Sequence, residues 1–126
     1  MILIINNLQH QTTKLWLYSD QPIYLKDTQE YTGNNVLGHI SKFIENNHTG
    51  VNQINYLGVI QGDGSFTGVR SAVNIANVYA MYNKSIVFDL KQTENNLRSI
   101  TDKIKNKKPG IIYPKYSNPP RITKSK

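Results

Sequence analysis

The stretch with the most chemical promise is QGDGSFTGVR, residues 61–70. Glycine-rich turns that open a helix often cradle phosphate, because the first helical amides point outward and the helix dipole favours an anion. A P-loop, however, needs GxxxxGK followed by Ser or Thr, with lysine on the outer phosphates and the hydroxyl on magnesium. Here Gly62 and Gly68 are six residues apart and Val69-Arg70 follows. A dinucleotide fingerprint fails as well, since the glycines fall as GxGxxxG. Asp63 adds negative charge where an anion would approach. The loop Gly62, Gly64, Ser65, Phe66, Thr67, Gly68 therefore reads as structural. Gly62 and Gly64 supply unusual backbone angles, and Ser65 is placed to cap a helix. Phe66 anchors the first turn in the core, and Gly68 stays small where the helix start crosses a sheet.

Other chemistry is poorly supplied. The carboxylates Asp20, Asp27, Glu30, Glu45, Asp63, Asp89, Glu94 and Asp102 form no close pair with His10, His39 or His48. Metal-ligand spacing of the DxH or HxxE kind is missing from the sequence. Ser65 and Ser71 lack the GxSxG setting of a nucleophile elbow. With no cysteine, thiolate zinc sites and a cysteine nucleophile are excluded. The expectation is a protein without a catalytic residue, a metal or a cofactor.

The elements that would position this loop follow from periodicity. Met1–Ile5, Lys14–Tyr18 and Ile23–Leu25 read as three strands of an antiparallel meander. Val36, Leu37, Ile40, Phe43 and Ile44 recur at helical spacing within 33–47. A strand over 55–60 precedes the loop, and a helix from Phe66 to Tyr82 follows it. Ser85–Leu90 is a fifth strand and 95–107 a last helix. The order is βββαβα and then β, an α/β unit with a mixed five-stranded sheet. A chain of 126 residues suffices for one core.

Charge divides the chain. Residues 1–90 hold five Lys and Arg against six Asp and Glu, whereas 91–126 hold ten against two. The expected division is therefore a domain over 1–90 and a short helix with a basic, proline-containing tail over 91–126. Such a tail is either a solvated end or an electrostatic arm for nucleic acid. Lys107, Lys108, Lys115 and Arg121 are its candidate contacts. The amino terminus lacks the basic n-region of a signal peptide, and no apolar stretch approaches the ~20 residues of a membrane span. The expectation is a soluble, cytoplasmic protein.

Ser65-Phe66-Thr67-Gly68-Val69-Arg70, with Gly62 and Gly64 in register, resembles the GPGSFTG-[LV]-R signature of the TsaB (YeaZ) family. The resemblance extends to the element order over residues 1–90. It implies an RNase H-like unit of the actin/Hsp70/sugar-kinase superfamily. Two departures stand out: Ile5-Asn6-Asn7-Leu8 lies where the family opens with Asp-Thr, and Asp63 replaces the signature proline. The family's second RNase H-like half is also mostly missing, so the chain resembles a shortened form. The segment IIYPKYSNPPRITKSK resembles the end of many family members.

The role that the resemblance implies is non-catalytic. TsaB-like proteins pair through their first two helices with TsaD, the catalytic relative, in making N6-threonylcarbamoyladenosine on tRNA. The ATPase TsaE and the adenylate-forming TsaC complete the bacterial pathway. The helix from Phe66 has apolar or small residues on more than one face, which also calls for a second partner. Val36, Ile40, Ala72, Ala76 and Tyr79 are the expected interface residues. Self-association as a homodimer, a nucleic-acid module acting through the tail, and a residual actin-like ATPase are the alternatives.

Overall fold

The computed structural model of the chain describes residues 1–9, 11–62, 66–107 and 109–113, without the side chains of Phe66 and Thr67. Its strands are β1 (Ile2–Asn6), β2 (Thr12–Asp20), β3 (Ile23–Thr32), β4 (Tyr56–Ile60) and β5 (Ile86–Leu90). Its helices are α1 (Val36–Asn46), α2 (Phe66–Asn83) and α3 (Leu97–Asn106). The five strands form one sheet in the order β3-β2-β1-β4-β5. β1, β2 and β3 pair antiparallel, while β4 lies parallel to β1 and β5 parallel to β4. This is the mixed sheet expected from the element order.

β1 is the centre. Ile2, Leu3, Ile4 and Ile5 are all at 0% exposure. Since alternate side chains point to opposite faces, a strand buried throughout must be covered on both sides. The covering is visible along β2. Thr13 meets His39 of α1, whereas Tyr18, five residues on and hence on the other face, donates its hydroxyl to Asn95 just before α3. Helices α1 and α2 pack together on the Thr13 side. Ile100 of α3 is wholly buried, and Ile112 nearly so, in the same cluster as the strands. The change at residue 90 is therefore one of charge and composition and not a break in the core.

Asparagine closes most of the helix ends. The Asn35 side-chain oxygen accepts from the Gly38 amide at 3.0 Å, and that of Asn96 accepts from the Ser99 amide at 2.9 Å. Each satisfies one of the amides that a helix start leaves without a partner. At the far end of α2, the Asn83 side chain donates to the carbonyls of Val51 and Ile54 and to the Ser85 hydroxyl. That fan ties the helix exit to the entry of β4.

β3 departs from expectation. The sequence pattern predicts a strand over Ile23–Leu25 only, but the strand runs for ten residues to Thr32. It is an outer strand, so KDTQEYT needs no alternating apolar face. Its stability comes from the backbone ladder with β2, which continues from Asp20↔Ile23 to Thr12↔Thr32 past one bulge. The bulge sits between Leu17 and Tyr18 opposite Asp27 and Leu25, leaving Lys26 as the extra residue. Bulges and lysine on an outer strand both discourage pairing with another chain.

If α3 is part of the core, Ile100→Ala should lower unfolding stability by about 2–5 kcal/mol. Urea denaturation followed by circular dichroism should still show a single transition, because the loss falls on the shared cluster.

Candidate functional site

Two places carry the expected function: the rim where the parallel strands end, and the solvent side of the helix pair. At the rim, Asn6 ends β1 and Asn7 follows it. The Asn6 side chain accepts from the Leu8 amide at 3.0 Å, closing a local turn. Asn7, nearly buried, donates from Nδ2 to the Gly68 carbonyl at 3.1 Å and accepts the Thr13 hydroxyl at 3.3 Å. Because Thr13 gives its one proton to Asn7, its oxygen accepts from His39 Nδ1, 3.4 Å away. The His39 ring stacks on Tyr31, centroids 5.1 Å apart. A chain of contacts thus runs from β3 and α1 through β2 and β1 to the first turn of α2.

That chain explains the helix start. A Cβ on Gly68 would run into the main-chain oxygen of Asn7, so α2 can cross this close to β1 only with glycine there. Gly62 has φ +153° and open space where a side chain would stand, so its requirement is one of backbone angle. Gly64 and Ser65 lie outside the described residues, as do the side chains of Phe66 and Thr67.

His39 and Thr13 look like a base beside a hydroxyl, yet Thr13 is at 0% exposure and its proton is committed inward. Among the described residues, no group of three or more His, Cys, Asp or Glu side chains converges as a metal site. No described helix is long and apolar enough to cross a membrane.

The helix pair corrects the expected interface. Val36, Ile40, Ala72, Ala76 and Tyr79 all belong to the buried core. They face the sheet and the neighbouring helix, so they do not line a surface open to a partner. Burial also pushes the Tyr79 hydroxyl above its ordinary pKa, which keeps it protonated and neutral. The apolar side chains that do face water are Leu37 on α1 (54% exposed) and Val78, Met81 and Tyr82 on α2 (50%, 67% and 82%). Arg70, Asn74 and Val78, four residues apart, trace the exposed side of α2, which Met81 and Tyr82 continue. This stripe is present in the sequence, but the stripe through Val69, Val73 and Ala76 is richer in apolar residues and masks it.

The basic tail is only partly in view. Lys107 is half-buried beside a cavity of about 320 Å³ that Glu94, Asp102 and Lys103 also line. Lys108, Lys115 and Arg121 lie outside the described residues. Between Lys108 and Lys115, Ile111–Tyr113 is docked on the body. Asn77, in the middle of α2, donates to the Ile112 carbonyl at 2.8 Å and accepts the Ile112 amide at 2.9 Å. Gln61, just past β4, donates to the Tyr113 carbonyl at 3.2 Å. The sequence predicts an extended or irregular end here, but nothing in its periodicity marks Asn77 as its holder.

If close approach is what Gly68 provides, Gly68→Ala should cost about 1–3 kcal/mol, as other overpacked sites do. Thermal unfolding of the single variant measures it.

No protein-family model matches this sequence, and no curated protein matches it. Among solved structures, YeaZ from Pseudomonas aeruginosa is similar at a TM-score of 0.60 with 14% identity, over 71% of this chain and 44% of that one. A second, described as an uncharacterized protein with similarity to peptidase YeaZ from Pseudomonas aeruginosa, aligns at 0.58 with 13% identity, over 71% and 42%. Thermus thermophilus RuvC, solved in complex with a Holliday junction substrate, aligns at 0.49 with 12% identity, over 75% and 67%. The chain spans less than half the length of either YeaZ-type protein. The sheet order and the likeness to the two YeaZ-type structures together show an α/β, RNase H-like fold like that of YeaZ.

Proposed function

We propose that this chain is a non-catalytic, TsaB-like pairing subunit. Its work is to hold a TsaD-like relative through the solvent side of α1 and α2, in support of N6-threonylcarbamoyladenosine formation on tRNA. A TsaE-like ATPase would join through that partner. The observation that carries this reading is the exposure of Leu37, Val78, Met81 and Tyr82 on two helices that cover the same face of the sheet. Of these, Val78, Met81 and Tyr82 are neighbours on the last turns of α2, and large apolar side chains exposed side by side favour a partner. Two adjacent helices also offer a ridge onto which a second pair can dock at a shallow angle.

The rim supports the non-catalytic half of the proposal. Where the superfamily turn carries a carboxylate, this chain has Asn6 and Asn7; the Asn6 oxygen accepts the Leu8 amide, and Asn7 spends both ends of its amide on Gly68 and Thr13. A neutral amide tied to Gly68 does not offer magnesium the anionic oxygen that holds nucleotide phosphates. A second copy of the chain could occupy the same surface in the absence of the relative, burying the patch around a two-fold axis.

The double variant Val78→Lys/Met81→Glu tests the surface. Both side chains face water, so stability should change by no more than about 0.5 kcal/mol per site. Affinity for a TsaD-like protein from the same source should fall at least about tenfold, read by co-purification and calorimetry. Undiminished pairing would place the contact elsewhere. Ala76→Lys is no test of pairing, since a lysine at a 0% exposed site would unfold the helix pair first.

A further inference from the structure

We propose that the hollow beside the end of β1, on the face of the sheet away from α1 and α2, binds a small zwitterion of the free α-amino-acid kind. The inference is independent of the pairing role. The register of the sheet builds the hollow. Asn6 of β1 stands opposite Lys14 of β2, and Lys14 stands opposite Glu30 of β3. Directly opposed residues share a face, so the three form one row across three strands. Lys14 is four residues from Tyr18, whose hydroxyl meets Asn95, so the row lies on the side of α3. Gln92, in the short 3-10 turn Gln92–Glu94 after β5, adds a wall, and the buried Leu8 adds an apolar one. Together they line a cavity of about 150 Å³.

Among the described residues that line this cavity, Lys14 and Glu30 are the charged ones. Opposed on paired strands, they are near enough to join, but none of the ion pairs among the described residues links them. The Lys14 ammonium instead lies over the Trp16 ring, 5.3 Å from its centre. Two unlike charges held side by side and unjoined select by exclusion. A phosphate is drawn to Lys14 and repelled by Glu30, and a divalent cation meets the reverse. A ligand carrying both charges satisfies both: its carboxylate accepts from Lys14 and its ammonium donates to Glu30. The amides of Asn6 and Gln92 add neutral partners. The Asn6 oxygen accepts the Leu8 amide, so its NH2 group is the end left to donate. The volume is about half of the ~300 Å³ at which pockets for drug-sized ligands begin. It suits glycine, alanine or serine and is too small for a nucleotide.

The test is an NMR titration of the isotope-labelled full-length chain with L-serine. Sodium acetate and methylammonium chloride serve as single-charge controls, and glycerol as an uncharged one. L-Serine should shift the backbone amides of Lys14, Glu30 and Gln92 and saturate in the millimolar range. Both protein charges are exposed, so each contributes about as much as a surface ion pair. Lys14→Gln and Glu30→Gln should therefore each weaken serine binding about threefold to fivefold, and the three controls should bind at least about threefold more weakly than serine. Amide shifts far from the cavity check that each variant keeps the fold. The proposal is overturned if serine shifts none of the three amides, if any control binds as tightly as serine, or if either substitution leaves the affinity unchanged.

Discussion

Four successive side chains of β1, Ile2 to Ile5, lose all contact with water while pointing alternately to two faces. A strand in that position cannot be satisfied by helices on one side. α1 and α2 cover the face that carries Thr13, and the segment leading into α3 covers the face that carries Tyr18. The parallel pairing of β4 with β1 follows from the same demand, since the long connection it requires includes α1, laid across the sheet. α3 belongs to the core because β1 has two faces.

The joints between these layers are made with amides more than with charges. Asn7 ties β1 and β2 to α2, Asn83 ties α2 to the start of β4, and Asn77 ties α2 to the carboxyl-terminal segment. Each uses donor and acceptor positions that burial would otherwise leave costly. The side-chain ion pairs are weaker partners. Lys103 reaches Asp89 at 3.8 Å and Glu94 at 4.0 Å, all partly exposed, where such pairs contribute little. The abundance of asparagine, which reads in the sequence as compositional bias, is in these places the means of assembly. At Asn7 one amide bridges the end of β1, the start of β2 and the first turn of α2.

Seen from outside, the described residues offer water-facing apolar side chains on both helices, Leu37 on α1 and Val78, Met81 and Tyr82 on α2.

The sequence alone determined the order of elements, because period and turn chemistry are local. Ile2–Ile5, the run over 55–60 and the glycine loop before Phe66 carry their own signals, and the charge division at residue 90 is a matter of counting. Only the tertiary structure decided which side of α2 is inside. That helix is apolar or small over so much of its circumference that periodicity gives a wide arc without a centre, and by pattern Ala72, Ala76 and Tyr79 are as free as Val78 and Met81. The length of β3 was hidden because an outer strand is held by backbone bonds to its neighbour, which leave no mark on side-chain pattern. The hold of Asn77 on Ile112 was hidden because it joins residues thirty-five apart, a contact that exists only once the sheet has brought them together.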